Sequence, residues 1–226
     1  MCLGVTNDKK VTLYFVRHGE TQYNVEKRIQ GFCDSPLTES GIFQAKSVGK
    51  GLSDINFKAA YSSDSQRVLD TAKYAIRNQD IPLIIDPRLK ELNFGVLESL
   101  LKEEIFEKHG NILERILSFK NLDISAPDGE SYVQLYTRTT NAVGDIIKKH
   151  ALEGGNILIF SHGITIGNYI LQVTQSDEYP VHENCSVSVV SYINGQSIVE
   201  EIANTHYREK GSKYLMNQRK ILIQRP

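Results

Sequence analysis

Residues 13–24 read LYFVRHGETQYN, an apolar run broken abruptly by Arg17, His18 and Gly19. A buried strand that ends on a guanidinium and an imidazole leaves both groups just past the sheet, where a cleft forms, and not inside it. A second run, NILIFSHGIT at residues 156–165, repeats the pattern with His162 and Gly163. Two histidines are thereby expected just past strand ends.

The rest of the chain alternates strand and helix signals. Segments 11–16, 59–63, 82–85 and 156–160 are short, apolar and bounded by turn residues, as buried parallel strands should be. Thr38 is placed to cap a helix carrying Ile42, Ala45 and Leu52 inward, and Val68, Ala72, Ala75 and Ile76 mark a second helical face. Val133, Tyr136, Thr140, Val143 and Ile147 mark a third, closing near Gly154. Segments 186–193 and 197–203 flank Asn194 and Gly195, a pair that favours a tight hairpin. The expectation is a three-layer α/β/α fold with a mostly parallel central sheet and an antiparallel edge.

Composition limits the functions available. At 226 residues and 40% hydrophobic content, the chain suits one domain spanning residues 1–226. Its formal charge of -1, from 26 basic and 27 acidic residues, gives no electrostatic support to a nucleic-acid partner. Cys2, Cys33 and Cys185 lack metal-ligand or redox spacing and suit a reduced compartment. No apolar run reaches the length of a membrane span, and the opening MCLGVTNDKK lacks the pattern of a signal peptide. The expected location is the cytoplasm, with no membrane partner.

Further groups join the two histidines. In YSSDSQRVLDTA (61–72), Arg67 falls in the first helical turn after a strand, with Ser63 or Asp64 as the expected cap. In RLKELNFGVLES (88–99), Glu91 follows another strand at a turn close to Gly95. Taken together, RHGET with Asn24, RIQGFCDSPLTESGIFQA (28–45), SSDSQR with the later TA, LKELNFG (89–95), DGES (128–131) and SHG (161–163) resemble, in order, the motifs of the histidine phosphatase superfamily. That superfamily is also called phosphoglycerate mutase-like, and the likeness runs from residue 11 to about 205. Ser99 stands where relatives often have Gly, and Ser65 and Val68 replace the usual Leu and Ala beside Arg67. These departures bear on pocket shape.

The resemblance implies a phosphoglycerate mutase-like fold with a helical lid insertion at about 97–128 and phosphoryl transfer through a phosphohistidine. In that chemistry His18 is the nucleophile, Glu91 the proton donor and acceptor, and His162 a stabiliser of charge on the phosphoryl group. Arg17 and Arg67 are expected to offer guanidinium forks to the phosphate. Asn24, Gln30, Gly31 and Gly163 are expected at the phosphate or substrate. No metal or cofactor is expected, since no Walker loop, His-Glu-x-x-His or carboxylate cluster is visible.

Region 96–131 holds eight acids against Lys102, Lys108, Arg115 and Lys120, a poor setting for a second phosphate. The expected activity is therefore a phosphatase acting on a small phosphorylated metabolite, as a monomer or homodimer. The alternatives are a 2,3-bisphosphoglycerate-dependent phosphoglycerate mutase and a noncatalytic phosphate-binding sensor. An α/β-hydrolase esterase is disfavoured because FSHG is not a Gly-x-Ser-x-Gly elbow. Leu97, Leu101, Ile105, Ile112, Leu113, Ile116 and Leu117 are read as packing faces of the lid helices. The basic tail QRKILIQRP is read as a solvated or edge-packed terminus.

Overall fold

The computed structural model describes residues 9–176 and 178–223, so Cys2 lies outside the described residues. Its sheet is built around β1 (Val11–Arg17), with β2 (Phe57–Ser62), β3 (Leu83–Ile85), β4 (Gly155–Ser161), β5 (Val187–Ile193) and β6 (Gln196–Asn204) in the order β3-β2-β4-β1-β5-β6. The pairs β1–β4, β2–β4 and β2–β3 are parallel, while β5 and β6 run antiparallel at one edge. Asn194 and Gly195 both adopt positive φ, 51° and 82°, which is the twist a two-residue hairpin needs.

Alternation along the central strands creates two cores. Val11, Leu13, Phe15, Ile157 and Ile159 face one side, under α6 (Tyr132–His150) and α7 (Gly163–Thr174). Val16, Leu158 and Phe160 face the other, under α2 (Glu39–Gly51) and α3 (Gln66–Ala75). Sheet residues buried on both faces are why these strands read as unbroken apolar runs. The short α1 (Gln22–Glu26) follows β1.

Local signals mostly hold, with instructive exceptions. Thr38 caps α2 as expected, its hydroxyl accepting from Gly41 N at 2.9 Å, and Ala45 and Leu52 are buried while Ile42 is half-buried. Neither Ser63 nor Asp64 caps α3. Ser65 holds that position without a side-chain capping bond, and the Asp34 carboxylate, from a distant loop, accepts from Gln66 N and Arg67 N instead. The inward face of α6 is also turned by about one residue from the expected one. Tyr132, Leu135, Thr139 and Ala142 are buried with Val143, Ile146 and Ile147, whereas Val133 is exposed. A capping box between Ser131 and Gln134 sets where this helix starts, and the lid draws Tyr132 and Leu135 inward.

The lid contains α4 (Lys102–His109) and α5 (Ile112–Leu117). Leu97, Ile105, Leu113 and Ile116 close a third core with Leu92, Phe94, Tyr132 and Leu135. At the far end α8 (His206–Ile223) lies against α2, with backbones so close that a Cβ on Gly211 would meet Ser47 O at 1.9 Å. Residues 218–223 of the basic tail therefore continue this helix and do not form a loose end. Among the described residues, no helix is long and apolar enough to cross a membrane.

Candidate active site

Parallel pairing of β1 with β4 aligns Arg17 with Ser161, so the next residues, His18 and His162, leave the sheet side by side. Their ring centroids are 5.4 Å apart, and the two residues are 4% and 0% exposed. His18 Nδ1 lies 2.8 Å from Gly19 O. A carbonyl only accepts, so Nδ1 carries the proton and Nε2 keeps a free lone pair. Burial, followed by the charges of Arg67 and Arg17, holds the His18 pKa well below its ordinary value. Burial and then Arg67 do the same for His162. Both rings are neutral at neutral pH.

Arg67 lies fully buried on the first turn of α3. Its Nη1 donates to Cys33 O at 2.8 Å and Asp34 Oδ1 at 3.0 Å, and its Nη2 to Gly31 O at 2.8 Å and His162 Nδ1 at 3.0 Å. The fork expected to face a phosphate is thus engaged within the protein, and Nε is left buried with no partner. Arg17 repeats this arrangement: Nη1 donates to His182 O, and Nε is buried and unpartnered. Two guanidinium N–H groups beside a neutral imidazole lack acceptors. Buried donors left unpaired in this way are rare, and an acceptor entering beside them would satisfy both.

Glu91 follows the 3-10 turn Pro87–Leu89 and is 6% exposed. Its Oε1 accepts from Leu92 N, Thr165 N and Thr165 Oγ1 at 3.0, 3.0 and 2.9 Å, while Oε2 accepts from Ile164 N at 3.1 Å. The carboxylate therefore caps the first turn of α7, and Oε2 is the oxygen with room for a proton. His162 is not free in the same sense. Arg67 occupies its Nδ1, so its Nε2–H donates to Ser63 Oγ at 3.0 Å.

A cavity of about 260 Å³ opens over this set. Arg17, His18, Asn24, Gln30, Glu91 and Gly163 line its floor, joining most of the residues singled out in the sequence. Arg67, His162 and Gly31 stand behind that floor. Gly31 has no room for a side chain, since a Cβ would meet Glu98 Oε1 at 2.3 Å and Leu92 O at 2.5 Å. Asn24 Oδ1 accepts from Thr21 N and from Asn184 Nδ2, and Gln30 bonds Thr21 Oγ1 and Ser35 Oγ.

The outer wall is a further element of the site. Ile29, Phe94, Leu117, Ile164, Tyr179 and Val181 form it, with Arg28 at the rim. Tyr179 donates to Ile164 O at 2.9 Å and stacks on Phe119 of the lid at 3.8 Å. Its loop carries no periodicity that would have flagged it. Glu98, which no local sequence pattern marks, accepts from the backbone N–H groups of Phe32, Cys33 and Phe94 and so braces the loop that holds Arg67.

The family profile described as "Histidine phosphatase superfamily (branch 1)" matches residues 13–205. The chain belongs to this superfamily. It is 36% identical over 184 residues to a probable phosphoglycerate mutase, GpmB, of Enterobacter sp. (strain 638), covering 80% of this chain and 84% of that one. Its structure resembles the phosphoglycerate mutase of Bacillus anthracis, with a TM-score of 0.84 and 33% identity over 91% of this chain and 98% of the other. It also resembles the phosphoserine phosphatase of Entamoeba histolytica, with a TM-score of 0.74 and 26% identity over 87% and 98%. The histidine phosphatase superfamily thus accounts for the fold and for an enzyme of the phosphatase and mutase type. Proteins named as mutases and proteins named as phosphatases both occur among these similar proteins.

Proposed function

We propose that this superfamily member is a phosphomonoesterase that hydrolyses a small phosphorylated metabolite through a phosphohistidine on His18. The observation that carries the reading is the pair of buried, unpartnered Nε–H groups of Arg17 and Arg67 beside an imidazole whose lone pair is on Nε2. A phosphoryl group supplies the acceptors those donors lack, and a neutral nucleophile can approach its charge. Nε2 of His18 attacks phosphorus, and the bond to the leaving oxygen breaks as Glu91 gives that oxygen its proton. Water then attacks the phosphohistidine, its proton passes to Glu91, and the N–P bond breaks to release phosphate. His162 keeps Arg67 oriented, and its Nε2–H can pass from Ser63 to a phosphoryl oxygen as charge grows. The two guanidinium groups supply the positive field that a metal ion supplies elsewhere.

A mutase must also hold a second phosphate. Beyond the floor, the cavity wall is mostly apolar, with Tyr179 and His182 its polar members, and Arg28 at its rim is engaged with Glu26 at 2.8 Å, Glu104 at 3.5 Å and Ser99 O at 2.8 Å. That wall favours hydrolysis of a singly phosphorylated substrate. The names of similar proteins keep the phosphoglycerate mutase reading in play. A panel of phosphomonoesters run beside a coupled mutase assay with 2,3-bisphosphoglycerate separates them. Fast phosphate release with negligible isomerisation is expected, and efficient primer-dependent isomerisation would overturn the proposal.

A further inference from the structure

Glu91 sits in a stretch with no strand or helix of its own, directly after the 3-10 turn Pro87–Leu89. Its backbone must find partners elsewhere, and they are side chains. Arg138, from the second turn of α6, donates through Nη1 to Arg88 O at 2.8 Å and Lys90 O at 2.7 Å, and through Nη2 to Glu91 O at 2.6 Å. Ser161 Oγ donates to the intervening Leu89 O at 2.7 Å, and the one hydroxyl proton of Thr165 is shared between Lys90 O at 2.7 Å and Glu91 Oε1 at 2.9 Å. Four consecutive carbonyls, 88 to 91, are therefore held by side chains.

The guanidinium itself is completed by Glu130. Arg138 Nε donates to Glu130 Oε2 at 3.1 Å and Nη2 to Oε1, while Glu130 Oε1 also accepts from Asn93 N at 3.1 Å. All five N–H groups of Arg138 have acceptors, in contrast to Arg17 and Arg67, whose Nε groups do not. Arg138 does not line the cavity. Its work is directed at the peptide on which Glu91 stands.

We propose that Arg138, locked by Glu130, is a positioning residue for the proton-transfer step: it sets the backbone of Glu91 while the first turn of α7 sets the carboxylate. This inference rests on the reading of Glu91 as proton donor given above. Proton transfer tolerates little displacement, since a shift of about 1 Å in a reacting group lowers rates by about a hundredfold. A planar fork reaching three carbonyls is beyond lysine, which brings one nitrogen on a flexible stem. Arg138→Lys keeps the charge and removes the geometry.

The test compares wild type, Glu91→Gln, Arg138→Lys and the double variant on ethyl phosphate and p-nitrophenyl phosphate, reading kcat/KM for each. Nitrophenolate leaves without a proton, whereas ethoxide does not. Arg138→Lys is expected to lower kcat/KM about tenfold or more on the ethyl ester and about threefold or less on the nitrophenyl ester. In the Glu91→Gln background the same substitution is expected to add almost nothing on the ethyl ester, because the group it positions no longer carries a proton. Equal losses on both esters, or full additivity with Glu91→Gln, would overturn the inference and leave the role of Glu91 intact. A Glu91→Gln variant with no leaving-group dependence would overturn the role of Glu91, and the inference with it. Should Arg138→Lys fail to fold, Glu130→Gln, which loosens the same fork, is expected to show the same leaving-group bias at smaller size. Its absence there counts equally against the proposal.

Discussion

Arg67 Nη2 lies 3.0 Å from His162 Nδ1, in a place where both residues are buried. A guanidinium can only donate, so this contact dictates the tautomer of His162 and makes protonation of the ring doubly unfavourable. It also means that Arg67 is oriented partly by His162. His162→Ala should therefore weaken the capture of the phosphoryl group as well as its transfer. A loss of about a hundredfold or more in kcat/KM on p-nitrophenyl phosphate is expected, with weaker inhibition by vanadate and a cooperative unfolding transition retained. Rate and vanadate affinity both within about threefold of wild type would show that neither function belongs to His162.

Acid should destabilise the fold through its buried rings. His182, whose carbonyl holds Arg17, has Nε2 at 2.8 Å from Ser188 Oγ, and burial pushes its pKa from 6.5 down to about 4. The folded ring binds a proton less tightly than the unfolded one. Its contribution is therefore complete above about pH 6.5 and is lost as pH falls toward 4. Between pH 7.5 and 5 this amounts to about 2 kcal/mol. Urea unfolding of His182→Asn should show a pH dependence shallower by about that amount than wild type. An unchanged pH dependence would mean that this ring does not carry it.

Chelation offers a simple check on the electrostatics. Among the described residues, no group of three or more His, Cys, Asp or Glu is placed to hold a metal ion, and the charges of Arg67 and Arg17 already act on His18. Turnover in excess EDTA should stay within about twofold of the untreated rate, whereas strong inhibition reversed by added metal would contradict the arginine-based field.

The legibility of this molecule follows the range of its interactions. Val11, Leu13, Ile157 and Ile159 are buried on a two-faced sheet, so their segments read as strands and point to His18 and His162 at their ends. The inner face of α6 was harder to read, because Tyr132 and Leu135 answer to the lid and not to the sheet. α8 gives no comparable signal in the sequence. It docks through glycine-permitted backbone contact with α2, which leaves no apolar stripe. The Asp34 cap on α3, the Glu91 cap on α7 and the Glu98 brace all join residues far apart in sequence, where local pattern is silent.

Ser99 provides a stability test of one departure from the family pattern. It has φ 66°, a left-handed conformation in which a Cβ costs about 1 kcal/mol, and its N–H and carbonyl are tied to Ile29 and Arg28. Ser99→Gly relieves that strain, though the unfolded chain gains freedom and offsets about half of it. The melting temperature should rise by about 1–2 °C, as scanning calorimetry would show. A fall in melting temperature would mean that the serine has a stabilising role of its own.

The covalent intermediate gives the most direct test of the site. His18 Nδ1 is committed to Gly19 O at 2.8 Å, so the phosphoryl group should be captured on Nε2. Rapid acid-free quenching with labelled p-nitrophenyl phosphate should trap a base-stable, acid-labile adduct, and mass mapping should place it at residue 18. Its level is expected to depend on Glu91 in a particular direction. Formation from a nitrophenyl ester needs no proton donor, but breakdown needs a base for the attacking water. Glu91→Gln should therefore raise the steady-state phosphoenzyme while turnover falls, giving a burst of nitrophenol followed by a slow phase. His18→Ala should give neither burst nor adduct. A burst without label on His18 would move the nucleophile elsewhere. An adduct that stays scarce in Glu91→Gln would show that water is activated by another group.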